Sequence, residues 1–148
     1  MVRISISFKR SLTGGSGTIS VDGSEIGAVS VKLLSIEYTE NGATVFKLNR
    51  GNGIYVRDPS GKCLYQVWKA GGVVGLVEPL ILLPYEVWDS ECKKMLARLK
   101  KGANLIQDSE GKTLATVTDE GSGTVSMDFN EIDKRLATVI MIMWRVFV

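Results

Sequence analysis

The chain is predicted to be mainly β: a closed antiparallel barrel of about twelve strands, built from repeated hairpins around a central hydrophobic C-terminal α-helix. Three observations carry this prediction. Short β-prone runs alternate with turn residues along most of the 148 positions, which include sixteen glycines and only three prolines. One turn phrase, Asp-x-x-Gly-Lys, recurs with strand-like flanks. The last stretch, Asn130 to Val148, is apolar for longer than any other and shows neither alternation nor a one-sided helical stripe, as expected of a helix surrounded by protein.

Totals set the frame. At 45% hydrophobic and 23% charged, 148 residues suffice for one domain spanning 1–148 with a sizeable core. A formal charge of +2 is too small for a phosphate-tracking stripe, so no nucleic-acid partner is expected. With two cysteines and no histidine, the chain lacks both the common zinc sites and the Ser-His and Cys-His nucleophile pairs. No metal and no cofactor are expected, nor an enzyme. The opening residues lack the apolar core of a secretory signal, so the expected setting is cytoplasmic.

In chain order, Ile4, Ile6 and Phe8 alternate with polar residues as one half-buried strand. Ser11 to Gly17 then reads as a flexible loop, with Gly14-Gly15-Ser16-Gly17 a mobile connector; no Lys-Ser/Thr follows to make it a phosphate loop. Ile19-Ser20-Val21 meets Asp22-Gly23 before Ala28 to Val31, and Ile36-Glu37-Tyr38 meets Glu40-Asn41-Gly42 before Val45 to Leu48. Asn-Gly between such runs signals a hairpin, because both central residues of a type I′ turn need positive φ.

Three repeat copies follow. Ile54 to Arg57 leads through Asp58-Pro59-Ser60-Gly61-Lys62 to Leu64-Tyr65-Gln66-Val67, and Leu105-Ile106-Gln107 leads through Asp108-Ser109-Glu110-Gly111-Lys112 to Leu114 to Val117. Between them, Tyr85 to Trp88 leads through Asp89-Ser90-Glu91-Cys92-Lys93 to Leu96 to Leu99, one residue late. Residues 90 to 101 also fit an amphipathic helix, since Cys92, Met95, Leu96 and Leu99 share a face and Asp89 or Ser90 offers a cap. The repeat argues for a hairpin and local propensity for a helix. The run Leu80 to Leu83, held between Pro79 and Pro84, reads as a short strand. A final partner, Gly123 to Met127, follows the acidic turn Asp119-Glu120-Gly121. So long a meander must stack or close.

The thirteen residues from Leu136 to Val148 would span about 20 Å as a helix, short of the ~30 Å hydrocarbon core of a bilayer. No transmembrane segment is therefore expected. The barrel's own interior is the better surrounding, with Asn130 or Asp128 as N-cap, Glu131 and Asp133 in the first turn, and Arg145 reaching out of the far mouth. A last buried strand over Val139 to Val148 is the competing reading.

Together, the Ile54 to Leu64 and Asp108 to Leu114 phrases and the closing apolar helix resemble the Tubby C-terminal-like superfamily, especially its small LURP-one-related members, over roughly Gly17 to Val148. The resemblance implies a twelve-stranded barrel around a central helix. It implies no single activity: Tubby proteins bind phosphoinositides, the related scramblases act on lipids, and many LURP-one-like proteins have no settled role. None of the family's functional residues maps onto a position here.

The functional expectation is a non-enzymatic binding module for anionic phospholipid headgroups or a protein partner, peripheral to membrane. Its candidate site is the basic cluster Lys93, Lys94, Arg98, Lys100 and Lys101, a positive patch in either geometry, worth about 1 kcal/mol per charge at an anionic surface. Lysines guarding a strand edge are the plainer reading of the same residues. The Asp-x-x-Gly turns read as turn chemistry, lacking the ligand set of a calcium loop. Glu78, Glu86, Asp89 and Glu91, or Cys63 and Cys92, would serve a catalytic barrel, but no base stands at a recognisable spacing. Trp68, Trp88 and Trp144 are expected in the core. The rival class is a small-molecule-binding or catalytic barrel with a pocket beside the helix.

Overall fold

The computed structural model describes residues 1–33, 35–70 and 84–148. Twelve strands close one antiparallel barrel in chain order: β1 (Val2–Ser11), β2 (Gly14–Val21), β3 (Ser24–Lys32), β4 (Ser35–Glu40), β5 (Ala43–Arg50), β6 (Ile54–Arg57), β7 (Cys63–Lys69), β8 (Tyr85–Asp89), β9 (Met95–Leu99), β10 (Leu105–Gln107), β11 (Thr113–Gly121) and β12 (Thr124–Phe129). Helix α1 (Lys134–Phe147) follows. The strand predicted at Leu80 to Leu83 lies outside the described residues.

β1 pairs with both β2 and β12, which closes the barrel and removes its free edges. At the β1–β12 seam the side chains alternate. Ile4, Ile6, Val125, Met127 and Phe129 are buried, while Arg3 meets Asp128 at 2.9 Å and the hydroxyls of Ser5 and Ser126 lie 2.7 Å apart. Such cross-strand pairs hold the register from outside while the apolar partners hold it from within.

The helix is enclosed in its middle. Every residue from Ala137 to Met143 is buried, so no side of that segment faces water. Thr138 is tolerated because its hydroxyl donates to the Lys134 carbonyl one turn back, at 2.9 Å. The competing C-terminal strand is thus replaced by the helix. Its start is later than expected: Asp133 is the N-cap, accepting from the amides of Arg135 and Leu136, and neither Glu131 nor Asp133 lies in the first turn. Asn130 instead bonds back to strand β11, its side chain to the Thr113 carbonyl at 3.0 Å and its amide to Leu114. Asp128 belongs to β12, facing Arg3.

Residues 90 to 101 form a hairpin, because inward Met95, Ala97 and Leu99 fill the barrel wall, a tertiary demand that overrides local helix propensity. All three repeat copies show a register shift beside their turn, between Val56 and Arg57, Val87 and Trp88, and Ile106 and Gln107. Each turn is closed by its aspartate. Asp58 accepts from the amides of Ser60 and Lys62, Asp108 from those of Glu110 and Lys112, and Asp89 from that of Lys93. In the outer copies the fourth turn residue is Gly61 or Gly111, at φ 90° and 82°. Cys92 holds the same place at φ 55°, and the ring closes at Lys94, one residue further along.

The predicted loop at Ser11 to Gly17 is mostly strand. Only Leu12 and Thr13 turn; Gly14 pairs with β1, and Gly15 to Gly17 pair with both β1 and β3. Those glycines serve close approach: a Cβ on Gly15 would sit 2.5 Å from the Phe8 ring, and one on Gly17 2.4 Å from the Ser7 carbonyl. Likewise Asp119 to Gly121 lie within β11, and the turn itself is Ser122-Gly123 at φ 53° and 83°.

Candidate functional site

Because every strand reverses direction, successive turns alternate between the two ends of the barrel. The lower mouth, where α1 begins, carries the turns at residues 22–23, 41–42, 58–62, 90–94 and 108–112. The upper mouth, where α1 ends, carries those at 12–13, 51–53, 100–104 and 122–123, together with Leu33.

This alternation divides the basic cluster expected from the sequence. Lys93 and Lys94 sit in a lower turn, Arg98 faces outward from β9, and Lys100 and Lys101 enter an upper turn. Lys94, Arg98 and Lys100 do share the outer face, strung over about 20 Å of strand. Acids interrupt them: Lys93 pairs with Glu91 at 2.7 Å, and Arg98 with Glu86 at 2.8 Å. The five residues do not make one patch.

Cations do converge at the upper mouth. Lys9 and Arg10 close β1, Lys32 closes β3, Arg50 closes β5, and Lys100 and Lys101 follow β9. None of these six has an ion pair among the described residues. Lys69 ends β7 at the same rim, its ammonium 5.2 Å from the centre of the Tyr85 ring. The acidic side chains toward this end of the described chain are Glu86, held by Arg98, and Asp119 and Glu120, of which Glu120 reaches away toward Arg3 at 3.8 Å.

The helix end supports the rim. Arg145 donates to the carbonyls of Gly123 at 3.1 Å and Phe8 at 3.0 Å, fixing α1 to two upper strand ends, and its guanidinium lies 5.2 Å from the Phe8 ring centre. It thus reaches the far mouth as expected, bonded to backbone. Arg10 donates to the Val146 carbonyl, one of the last of the helix, where a cation is favoured. Arg50 packs over Phe147, 4.7 Å from its ring centre. Beside these groups is a hollow of about 310 Å³ lined by Arg50, Lys69, Tyr85, Lys101 and Phe147.

The groups considered for catalysis are dispersed. Asp89 closes its own turn, Glu86 and Glu91 pair with Arg98 and Lys93, and Glu78 lies outside the described residues. The Cys63 thiol points to the Tyr65 carbonyl at 3.5 Å and the Cys92 thiol to the Gln66 side-chain oxygen at 3.1 Å; burial raises the Cys92 pKa, which disfavours the thiolate. Asp58 titrates below the usual carboxylate range, chiefly through its bond from the Ser60 hydroxyl.

None of the three tryptophans is buried. Trp144 packs against the core from the helix, whereas Trp68 and Trp88 alternate with inward Val67 and Val87 and so stand on the outer wall. At the lower mouth a cleft of about 470 Å³ lies beside the helix start over Ile4, Val21, Phe129 and Ile132, with Asn130, Glu131 and Lys134 at its rim. No helix among the described residues is long and apolar enough to cross a membrane.

The upper rim escaped a reading based on density of charge because its cations are far apart in sequence. A signal was present: Arg10, Lys32, Arg50, Lys69 and Lys101 recur at alternate turns, while Asp22, Asp58, Asp89 and Asp108 mark turns of the other set. Only strand count and closure convert that spacing into two faces.

A solved structure resembles this architecture: the X-ray structure of protein AT5G01750 from Arabidopsis thaliana, a LURP-one-related protein, with a TM-score of 0.66 at 11% sequence identity, covering 96% of this chain and 89% of that one. That likeness shows a similar barrel fold. No family model matches the chain. No curated protein matches it significantly.

Proposed function

We propose that this chain is a non-enzymatic binding module of the LURP-one-related, Tubby C-terminal-like type, and that its upper mouth binds anionic phospholipid headgroups at a membrane surface facing the cytoplasm. One observation carries the reading: six cations without acidic partners among the described residues collect on a rim formed by the ends of β1, β3, β5 and β9. Cations held this way are not neutralised internally, and each contributes about 1 kcal/mol beside an anionic leaflet. The barrel fold and its likeness to the Arabidopsis structure support the family assignment.

The rival small-molecule reading draws on the apolar cleft at the lower mouth. Its rim groups do not converge on a common point. The Asn130 amide is given to Thr113, and Lys134 lies 3.6 Å from Glu40. The upper rim is therefore the favoured site.

The test is flotation with phosphatidylcholine vesicles containing one-fifth phosphatidylserine. Wild type should float in a salt-sensitive manner, and Lys9→Glu/Lys32→Glu/Lys101→Glu should weaken this by roughly a hundredfold. Lys93→Glu/Lys94→Glu/Lys112→Glu, at the lower mouth, should change it little. Equal flotation of the two triple variants would sink the assignment of the site.

A further inference from the structure

We infer that Leu12 and Leu33 are bilayer anchors: the hairpin tips at the upper mouth insert into the acyl boundary while the neighbouring cations stay among the headgroups. The inference rests on the headgroup-binding reading of that mouth and adds hydrocarbon to what it contacts.

The first argument is exposure. Leu12 has a relative exposure of 107% and Leu33 of 85%, so neither contributes apolar surface to the core. Leu105, at the upper end of β10, is a third apolar side chain on this rim, at 40%. Scattered exposed leucines are ordinary; leucines at two turns of one mouth are a pattern.

The second argument is turn chemistry. Two-residue hairpin tips favour Gly, Asn, Asp and Ser, which tolerate the backbone or bond to it. The turns Asp22-Gly23, Asn41-Gly42 and Ser122-Gly123 obey this, each with both residues at positive φ. Leu12-Thr13 does not, and neither residue of that turn has positive φ. Turn geometry gives leucine no advantage there, and the side chain packs on nothing, so its chemistry must serve another purpose.

The third argument is placement. β2 and β3 are paired, which brings the turn after β1 beside the turn after β3. Between them is an open hollow of about 670 Å³ lined by Ser11, Thr13, Ser16, Ser30, Lys32 and Leu33. Each leucine adjoins cations in the chain: Lys9 and Arg10 precede Leu12, and Lys32 precedes Leu33. Leucine at the tip with lysine or arginine one or two residues back matches the layering of a membrane interface, apolar side chains below and cations at headgroup level. The energetics point the same way. One weak apolar anchor alone gives marginal, reversible attachment, whereas an apolar anchor joined to a basic patch is stable. A soluble polyanion would use the cations and leave the leucines in water.

The experiment uses the full chain and the same vesicles, comparing wild type, Leu12→Ser, Leu33→Ser and the double variant, with melting curves as a control for folding. Both positions are solvated, so the melting midpoint should not move. Each substitution should weaken vesicle partition by about tenfold, and the double variant should lose its remaining binding at moderate salt. A double variant that binds as tightly as wild type, while charge reversal still abolishes flotation, would overturn the leucine anchors and leave the headgroup reading standing. Failure of wild type to float would overturn both.

Discussion

The two mouths of the barrel are made from the same hairpins and differ in what their turns do. At the lower mouth, aspartates 58, 89 and 108 turn their carboxylates onto backbone amides of their own loops, and Asp133 does the same for the first turn of the helix. At the upper mouth, Lys9, Arg10, Lys32, Arg50, Lys100 and Lys101 make no ion pairs among the described residues, and two tips carry exposed leucines. Side chains spent on local closure stabilise the fold; side chains left projecting are available to a partner. On the proposed reading, the lower mouth serves the fold and the upper mouth the binding of headgroups.

The largest expected effect falls on what both mouths share. Ile140 is fully buried at the centre of α1, so Ile140→Asp places a charge where it has no partner, at a cost of several kcal/mol. No folded monomer should be recovered, as judged by gel filtration and circular dichroism. A variant that stays monomeric with an unchanged melting transition would mean that the ends do not depend on the helix.

A smaller effect is confined to the upper side. Gly15→Ala brings a Cβ to 2.5 Å from the Phe8 ring and 2.7 Å from the Lys9 carbonyl, so Phe8 must shift, destabilising by about 1–3 kcal/mol in denaturant unfolding. No loss would show that the glycine-rich strand is as compliant as a loop. On the lower side the sign reverses. Cys92→Gly relieves a left-handed backbone at φ 55° and gives up the thiol contact with Gln66, so a net gain of about 0.5–1 kcal/mol is expected. A loss would assign the thiol contact more weight than the backbone.

The smallest effect is a pH dependence at one lower turn, that of Asp58. Because the folded pKa of Asp58 is lowered, the stability it contributes is complete above the unfolded value of about 3.8 and fades as pH falls through the folded value. The melting midpoint of wild type should therefore fall more steeply than that of Asp58→Asn below about pH 4. Parallel curves would show that the Ser60 and Lys62 contacts are formed equally in the unfolded chain.

The outer hairpins were legible because their chemistry is local. Asp22-Gly23 and Asn41-Gly42 need only neighbouring atoms to define a turn, and the Asp58 and Asp108 loops repeat the same bonds. The glycines at 14 to 17 misled for the opposite reason. Their purpose is room for neighbouring strands, Gly15 and Gly17 for Phe8 and Gly14 for the Val31 backbone, and nothing in their own stretch of sequence shows it. The tryptophans at 68 and 88 misled likewise, since size and apolarity suggest a core that register denies them.

By itself, then, the sequence determined most of the elements: about a dozen strands' worth of alternation and turns, and a C-terminal apolar stretch too short for a bilayer and too apolar for water, with residues 90 to 101 left between hairpin and helix. The tertiary structure decided which turns share a mouth. Adjacent cations at Lys93-Lys94 and Lys100-Lys101 were carried to opposite ends by the five-residue strand between them, while Arg10, Lys32, Arg50 and Lys101, spread over most of the chain, were brought onto one rim. The physical reason is the extended backbone, which rises about 3.4 Å per residue and so separates sequence neighbours faster than any charge pattern can hold them together.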